Sequence, residues 1–215
     1  MYREDLKPKT NYPSQLALHL AQSVFPPDCK EVLDIGSGRG ELAVALAKTG
    51  LKVSAVDNYT QKEVTSLPRS VNWISGSFDD REFPIPGSSF DLVYAKSVIE
   101  HLREPLWLIE EAKRLLRPGG MLLILTPDWE RNKSRFFDDH THVTPFTRIS
   151  MQNLLLLADL AQIRVDYLVP LPQTWHRPAL RMVSQAIGPF VPPRVDWKPL
   201  RWSRERQILA TAVRD

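Results

Sequence analysis

Cysteine is nearly absent from this sequence. Cys29 stands alone, so the chain can form no intramolecular disulfide. Its expected place is as a small, partly buried residue ahead of the first strand, not as a reactive thiol. Long apolar runs are missing too. The longest, around residues 121–125 and 154–158, fall far short of the ~20 residues that cross a bilayer. Residues 1–7 are charged with no apolar stretch behind them, so they do not read as a secretory signal, and a cytoplasmic location is expected. There is no internal repeat and no low-complexity tract. A strong charge of one sign is also lacking, since the net charge is +3 with a pI near 9.0. The small excess is uneven. Residues 170–215 carry eight Lys/Arg against three Asp/Glu. Such a tail attracts an anionic substrate, nucleic acid or an acidic membrane surface, or is a solvated face.

What remains is the composition of an ordinary globular protein, 43% apolar and 25% charged over 215 residues. That length suits one sizeable core, and the whole chain is expected to form a single domain. Strand and helix patterns alternate along it, which argues an α/β fold with a largely parallel, doubly wound sheet. Apolar runs predict strands at 31–35, 52–56, 71–75, 90–95, 121–126, 164–169 and 207–213, about seven in all; an antiparallel last strand is an expectation that these runs do not themselves establish. Helical spacing predicts helices at 14–24, 41–48, 60–67, 104–116 and 147–161. Between the last two strands, residues 170–206 hold seven prolines and three tryptophans. So long a connection is usually functional. A helix is expected inside it at 178–187, begun by Pro178 and ended by Gly188. The segment reads as a lid or wall beside a site.

The sharpest chemical signal follows the first strand. Asp34-Ile35-Gly36-Ser37-Gly38-Arg39-Gly40-Glu41 runs a buried strand into a glycine turn and then a helix. Glycines let the backbone turn tightly and approach a ligand without Cβ clashes, and a helix amino terminus favours an anionic group. The dinucleotide fingerprint would need glycine at 41, and Glu41 would repel a pyrophosphate. Asp34, inside the strand, can instead face an ammonium group. Asp57, at the end of the second strand with Asn58 beside it, can accept both hydroxyls of a ribose.

These residues resemble the class I S-adenosylmethionine-dependent methyltransferases. LDIGSGRG (33–40), VSAVDN (53–58), FDLVYAKSVIEHL (90–102) and RLLRPGGMLLILTP (114–127) are similar to four of that family's motifs, in the family's order. The resemblance implies S-adenosylmethionine as cofactor and a Rossmann-like fold. It implies that Asp34, Gly36, Ser37, Gly38 and Gly40 hold the methionine part and that Asp57 and Asn58 hold the ribose. Adenine would lie near Phe78 and Asp79. The chain has Ser77 where many relatives carry an acid, so it departs from the pattern there. Ala95 and Lys96 would flank the sulfonium. Residues 1–28, with Tyr12, would cover the cofactor. His101 falls in the family's Glu-His-Leu stretch and is expected to tie the loop to its helix.

Methyl transfer from a sulfonium needs alignment and, for some acceptors, a proton acceptor. The loop Asp138-Asp139-His140-Thr141-His142 suggests His140 or His142 for that role. Its His-x-His pattern also admits a metal, although this chemistry needs no Lewis acid in general and none is expected. The expected acceptor is a small molecule such as a saccharide or lipid, methylated at oxygen. Nucleic acid is not the expected partner, since no Asn-Pro-Pro-Tyr-type motif follows the fourth strand. Trp175, Arg177, Arg181, Trp197 and Trp202 could shape the acceptor pocket, or residues 175–202 could touch a membrane surface. Two other readings stand beside this one: an NAD-dependent oxidoreductase, and a non-catalytic binding protein on the same fold.

Overall fold

The structure is a computed structural model, and it describes residues 11–58, 68–76, 81 and 83–215. The expected helix at 60–67 lies outside the described residues, as do Phe78 and Asp79. Among the described residues, seven strands form one sheet in the order β3-β2-β1-β4-β5-β7-β6. They are β1 (Glu31–Ile35), β2 (Lys52–Asp57), β3 (Val71–Ser75), β4 (Phe90–Lys96), β5 (Leu116–Pro127), β6 (Ala161–Leu168) and β7 (Gln207–Val213). The first five run parallel, and β7 is antiparallel to both β5 and β6. The helices are α1 (Tyr12–Ser23), α2 (Glu41–Ala47), α3 (Pro105–Leu115), α4 (Trp129–Phe136), α5 (Arg148–Leu157), α6 (Pro178–Ile187) and α7 (Lys198–Arg204).

The central strands are apolar on both faces because both are covered. Successive side chains point to opposite sides, so each strand divides between two cores. Leu33, Ile35, Val93, Ala95, Leu122 and Ile124 pack with α3 and α5. Val32, Val53, Ala55, Leu92, Tyr94, Leu123 and Leu125 pack with α1 and α2. Asp34 alternates onto the second side, and it is only 2% exposed. Cys29 is half-buried, and burial pushes its thiol up to about 11, against a reactive role. No described helix is long and apolar enough to cross a membrane.

The structure departs from the sequence reading at four places. Pro118-Gly119-Gly120 does not separate α3 from β5 but bulges within β5. The register jumps from Phe90 opposite Leu116 to Leu92 opposite Met121, and Gly119 takes the left-handed φ of +78°. The helix expected to reach 161 stops at Leu157, where Asp159 turns with φ +50° and frees Ala161 to pair with Val213 at the start of β6. Helices α4 and α7 were not anticipated. Both are short, polar and without an apolar stripe long enough to read. Helix α6 falls where Pro178 and Gly188 placed it.

Candidate active site

The carboxyl ends of β1, β2 and β4 meet at the glycine turn. Gly36, Gly38 and Gly40 all hold left-handed φ values of +70°, +57° and +74°. At Gly36 a Cβ would lie 2.2 Å from Val98 Cγ2, so only glycine fits; at Gly38 the space is open for 4 Å. The Gly36 and Ser37 amides donate to the Val56 carbonyl (2.9 and 3.3 Å), which ties the turn to β2, and the Gly40 amide donates to Ser37 O. The two acids flank this turn. Ser37 Oγ donates to Asp34 Oδ2 (2.9 Å), and the Gly38 amide donates to Asp57 Oδ2 (2.7 Å). Burial pushes the Asp34 carboxyl up to about 7, with Ser37 and Lys96 pulling it back. A cation delivered there would favour the ionised form. Asn58 is exposed beside Asp57. Ala95 is buried in the core at 1% exposure, and Lys96 is half-buried with its amine 3.5 Å from Ser97 Oγ. Burial lowers the Lys96 pKa, and Glu100 and Asp34 oppose the shift.

From Lys96 a cleft of about 560 Å³ opens between the end of β5, α4, α7 and the loop before α5. Tyr12 from α1 and Trp202 from α7 meet on its wall, their rings 5.4 Å apart. Arg131, Asn132, Arg135 and Phe136 of α4 line it, with Arg201, Arg204 and Arg206 opposite. Of the insertion residues proposed for a pocket, Trp202 is on the cleft. Trp175 lies behind it against Tyr12 (6.0 Å) and His19 (4.7 Å). Arg177, Arg181 and Trp197 are exposed and do not line it. Asn132, Arg135 and the arginines of α7 were missed because α4 and α7 were not foreseen. Arg206 anchors the cleft's far side. It pairs with Asp128 (2.6 Å) and Glu130 (3.0 Å) and lies 3.5 Å over the Tyr167 ring.

The two loop histidines separate. His140 is exposed and does not line the cleft. His142 is half-buried on the cleft wall, packed against Phe136 (4.5 Å) and His101 (4.7 Å). Its Nδ1 is 2.7 Å from the Phe136 carbonyl. A carbonyl only accepts, so Nδ1 carries the hydrogen and a neutral ring leaves Nε2 as acceptor. His101 Nδ1 reaches Thr141 Oγ1 (2.9 Å), which ties its turn to the histidine loop. Glu100 was not singled out from the sequence. It is fully buried and accepts from Thr126 Oγ1 (2.9 Å).

A family model described as "Methyltransferase domain" matches residues 7–165, about three quarters of the chain. The chain belongs to the class I S-adenosylmethionine-dependent methyltransferase family. Among curated relatives, the methyltransferase is similar to "Ubiquinone biosynthesis O-methyltransferase" of Xanthomonas campestris pv. campestris (strain B100), 37% identical over 114 residues. That is 50% of this chain and 47% of the relative. The protein of the same name from Thiobacillus denitrificans (strain ATCC 25259 / T1) is 32% identical over 117 residues, 52% of this chain and 50% of the relative. The methyltransferase thus spans about half the length of the curated relatives it matches. Its fold matches a solved "SAM dependent methyltransferase from Archaeoglobus fulgidus", with a TM-score of 0.64 and 17% identity over 93% of this chain and 94% of that one.

S-adenosylmethionine is the cofactor of this methyltransferase. The cradle suits it on physical grounds. The turn is open above Gly38, where a Cβ would meet nothing. The buried Asp34 carboxyl gains from an ammonium partner, and Asp57 is already aimed at the same turn.

Proposed function

We propose that this methyltransferase moves the methyl group of S-adenosylmethionine to an oxygen of a small-molecule acceptor held in the cleft. The observation that carries the reading is the junction at Lys96, where the glycine cradle with its two acids meets the mouth of the cleft. The choice of oxygen is supported by the relatives named as O-methyltransferases. In this reading Asp34 and the turn at Gly36, Ser37, Gly38 and Gly40 hold the methionine part, and Asp57 with Asn58 holds the ribose. Phe78 and Asp79, outside the described residues, hold adenine, while Ala95 and Lys96 border the sulfonium. Bound S-adenosylmethionine would supply an activated methyl group, leaving S-adenosylhomocysteine in the cradle, and the cleft would hold the acceptor oxygen towards it. The acceptor's proton passes to Nε2 of His142, the loop histidine on the cleft wall; His140 is the second candidate. Cofactor binding and acceptor alignment supply most of the rate, as positioning can.

Calorimetric titration with S-adenosylhomocysteine tests the cradle, and labelled methyl uptake from acceptor pools tests the transfer. The wild-type chain is expected to bind S-adenosylhomocysteine, and Asp57→Ala to lose at least ~10-fold in affinity, since charge-assisted hydrogen bonds to the ribose go with it. Undiminished binding by Asp57→Ala removes the ribose assignment. Heat from NAD and none from S-adenosylhomocysteine would return the oxidoreductase reading.

The insertion supports a second role. Met182, Val183, Ile187, Phe190 and Trp197 are exposed, Phe190 at 85%. Arg177, Arg181, Arg194 and Lys198 are exposed in the same segment. Exposed apolar side chains interspersed with basic ones along one segment suit peripheral contact with anionic lipid. Co-sedimentation with phosphatidylglycerol vesicles is expected, weakened by Phe190→Ser with Trp197→Ser and by salt. Equal sedimentation with neutral and anionic vesicles would discard the electrostatic part.

A further inference from the structure

Beside the cradle, Glu100, His101 and His142 bring ligand atoms close together. Glu100 lies in the 3-10 turn Ile99–His101 after β4 and is 0% exposed. One carboxylate oxygen accepts from Thr126; the other, Oε1, is buried with no hydrogen-bond partner. Leaving such an oxygen unsatisfied is costly, and a native fold normally answers it. Lys96, whose charge acts on Glu100, has its amine on Ser97 Oγ instead. The two imidazoles face the same way electronically. Thr141 Oγ1 gives its single hydrogen to Asp139 Oδ1 (2.6 Å), so at 2.9 Å it accepts from His101 Nδ1. His142 Nδ1 likewise donates to the Phe136 carbonyl. Both rings are therefore fixed with hydrogen on Nδ1 and, when neutral, a lone pair on Nε2. One ligand atom from each of Glu100, His101 and His142 lies within 4.8 Å of the other two.

The geometry points to a divalent transition-metal site made by Glu100, His101 and His142 in the wall of the acceptor cleft. Two imidazoles and one carboxylate suit Zn²⁺, Co²⁺, Ni²⁺ or Fe²⁺ and not the all-oxygen preference of Mg²⁺ or Ca²⁺. The carbonyl of Phe136 and the hydroxyl of Thr141 are the outer partners that orient metal-bound histidines. Three protein ligands leave a coordination position open. His142 lines the cleft, so that position is within reach of an oxygen donor entering there; with metal bound, Nε2 of His142 is a ligand and no longer the proton acceptor of the metal-free reading. The site departs from the sequence expectation of no metal, and it replaces the His-x-His pair, since exposed His140 is not a member.

The test uses the untagged full chain, stripped with chelator and titrated with Co²⁺ as an optical probe, then with Zn²⁺ in competition. One Co²⁺ per chain is expected, with visible d–d absorption. His101→Ala and His142→Ala should each weaken binding at least tenfold, the double variant should abolish it, and His140→Ala should leave it unchanged. Each variant is also titrated with S-adenosylhomocysteine, whose cradle contains neither His101 nor His142. Retained cofactor binding marks a folded chain, so loss of metal alone reports the site. Zinc-edge X-ray absorption of the wild-type chain gives a result that needs no variant, with two imidazoles expected in the shell. No stoichiometric Co²⁺ uptake by the wild type, uptake undiminished in the double variant, or a shell without imidazole overturns the site.

Discussion

Asp34 is a carboxyl held against its own charge. Its ordinary value is 3.8, and burial raises it to about 7. An ammonium group of the cofactor prefers the ionised form, so below pH 7 the empty site must release a proton before it binds. The affinity for S-adenosylhomocysteine is therefore expected to fall by up to ~10-fold per pH unit below 7 and to level off above it. Titration between pH 5.5 and 8.5 reads this directly, and Asp34→Asn should lower the affinity and flatten the profile. The sign reverses for the empty chain. An acid whose folded pKa is raised stabilises the fold below its unfolded value, and that contribution is lost as pH rises through the folded one. The cofactor-free wild type should lose melting temperature between about pH 4 and 7 relative to Asp34→Asn. A pH-independent affinity would show that Asp34 does not meet the ammonium. Asp34 was legible in the sequence because a carboxylate interrupts an apolar strand just ahead of glycines. Glu100 was not, because a Glu-His pair outside an apolar run looks the same whether solvated or buried. Only the fold brings Thr126 and His142 to it from distant positions.

At the scale of elements, the strand-turn-helix unit was the most readable part, since backbone requirement and residue type coincide there. Gly36 and Gly38 make separable predictions. Gly36→Ala adds left-handed strain of about 1–2 kcal/mol and drives a methyl to 2.2 Å from Val98. It should lower the melting temperature and the cofactor affinity together, and Val98→Ala in the same chain should restore part of both. Gly38→Ala carries comparable strain but meets no protein atom within 4 Å. Its melting temperature should drop by only a few degrees, while cofactor affinity falls further, because the methyl enters the space the ligand needs. Thermal melts and titration on the two variants compare these losses; equal effects at both positions would contradict the open approach over Gly38. Other boundaries were less legible for local reasons. The Pro-Gly-Gly run looks like a helix stop, yet Leu116 already pairs with Phe90 and the glycines form a bulge. Helix α4, Trp129–Phe136, is mostly polar because it builds a cleft wall and buries only Phe136.

Across the whole molecule, the proposed cofactor cradle and the proposed acceptor cleft rest on different parts of one sheet. The cradle rests on β1, β2 and β4, whereas the cleft depends on β7 being threaded between β5 and β6 after the long excursion of 170–206. Arg206 closes that excursion at the first step into β7. Its carbonyl accepts from the Asp128 amide (2.9 Å) and from Asn132 (2.7 Å), while its guanidinium holds Asp128 and Glu130 and covers Tyr167 of β6. One residue thus joins the end of β5, α4, β6 and β7. Asp128 is 0% exposed, so removing its cation leaves a buried charge without a partner, a loss of about 3–5 kcal/mol. Arg206→Met is expected to lower the melting temperature by roughly 6–20 °C for a chain of this size. Asp128→Asn in the same chain should recover much of that, because the stranded charge is gone. The division of the sheet adds a second expectation. Where Arg206→Met remains folded, S-adenosylhomocysteine should bind as it does to the wild type, while KM for a transferable acceptor rises. Equal weakening of both ligands would mean that the sheet transmits the damage to the cradle, and the two halves would then have to be treated as one cooperative site.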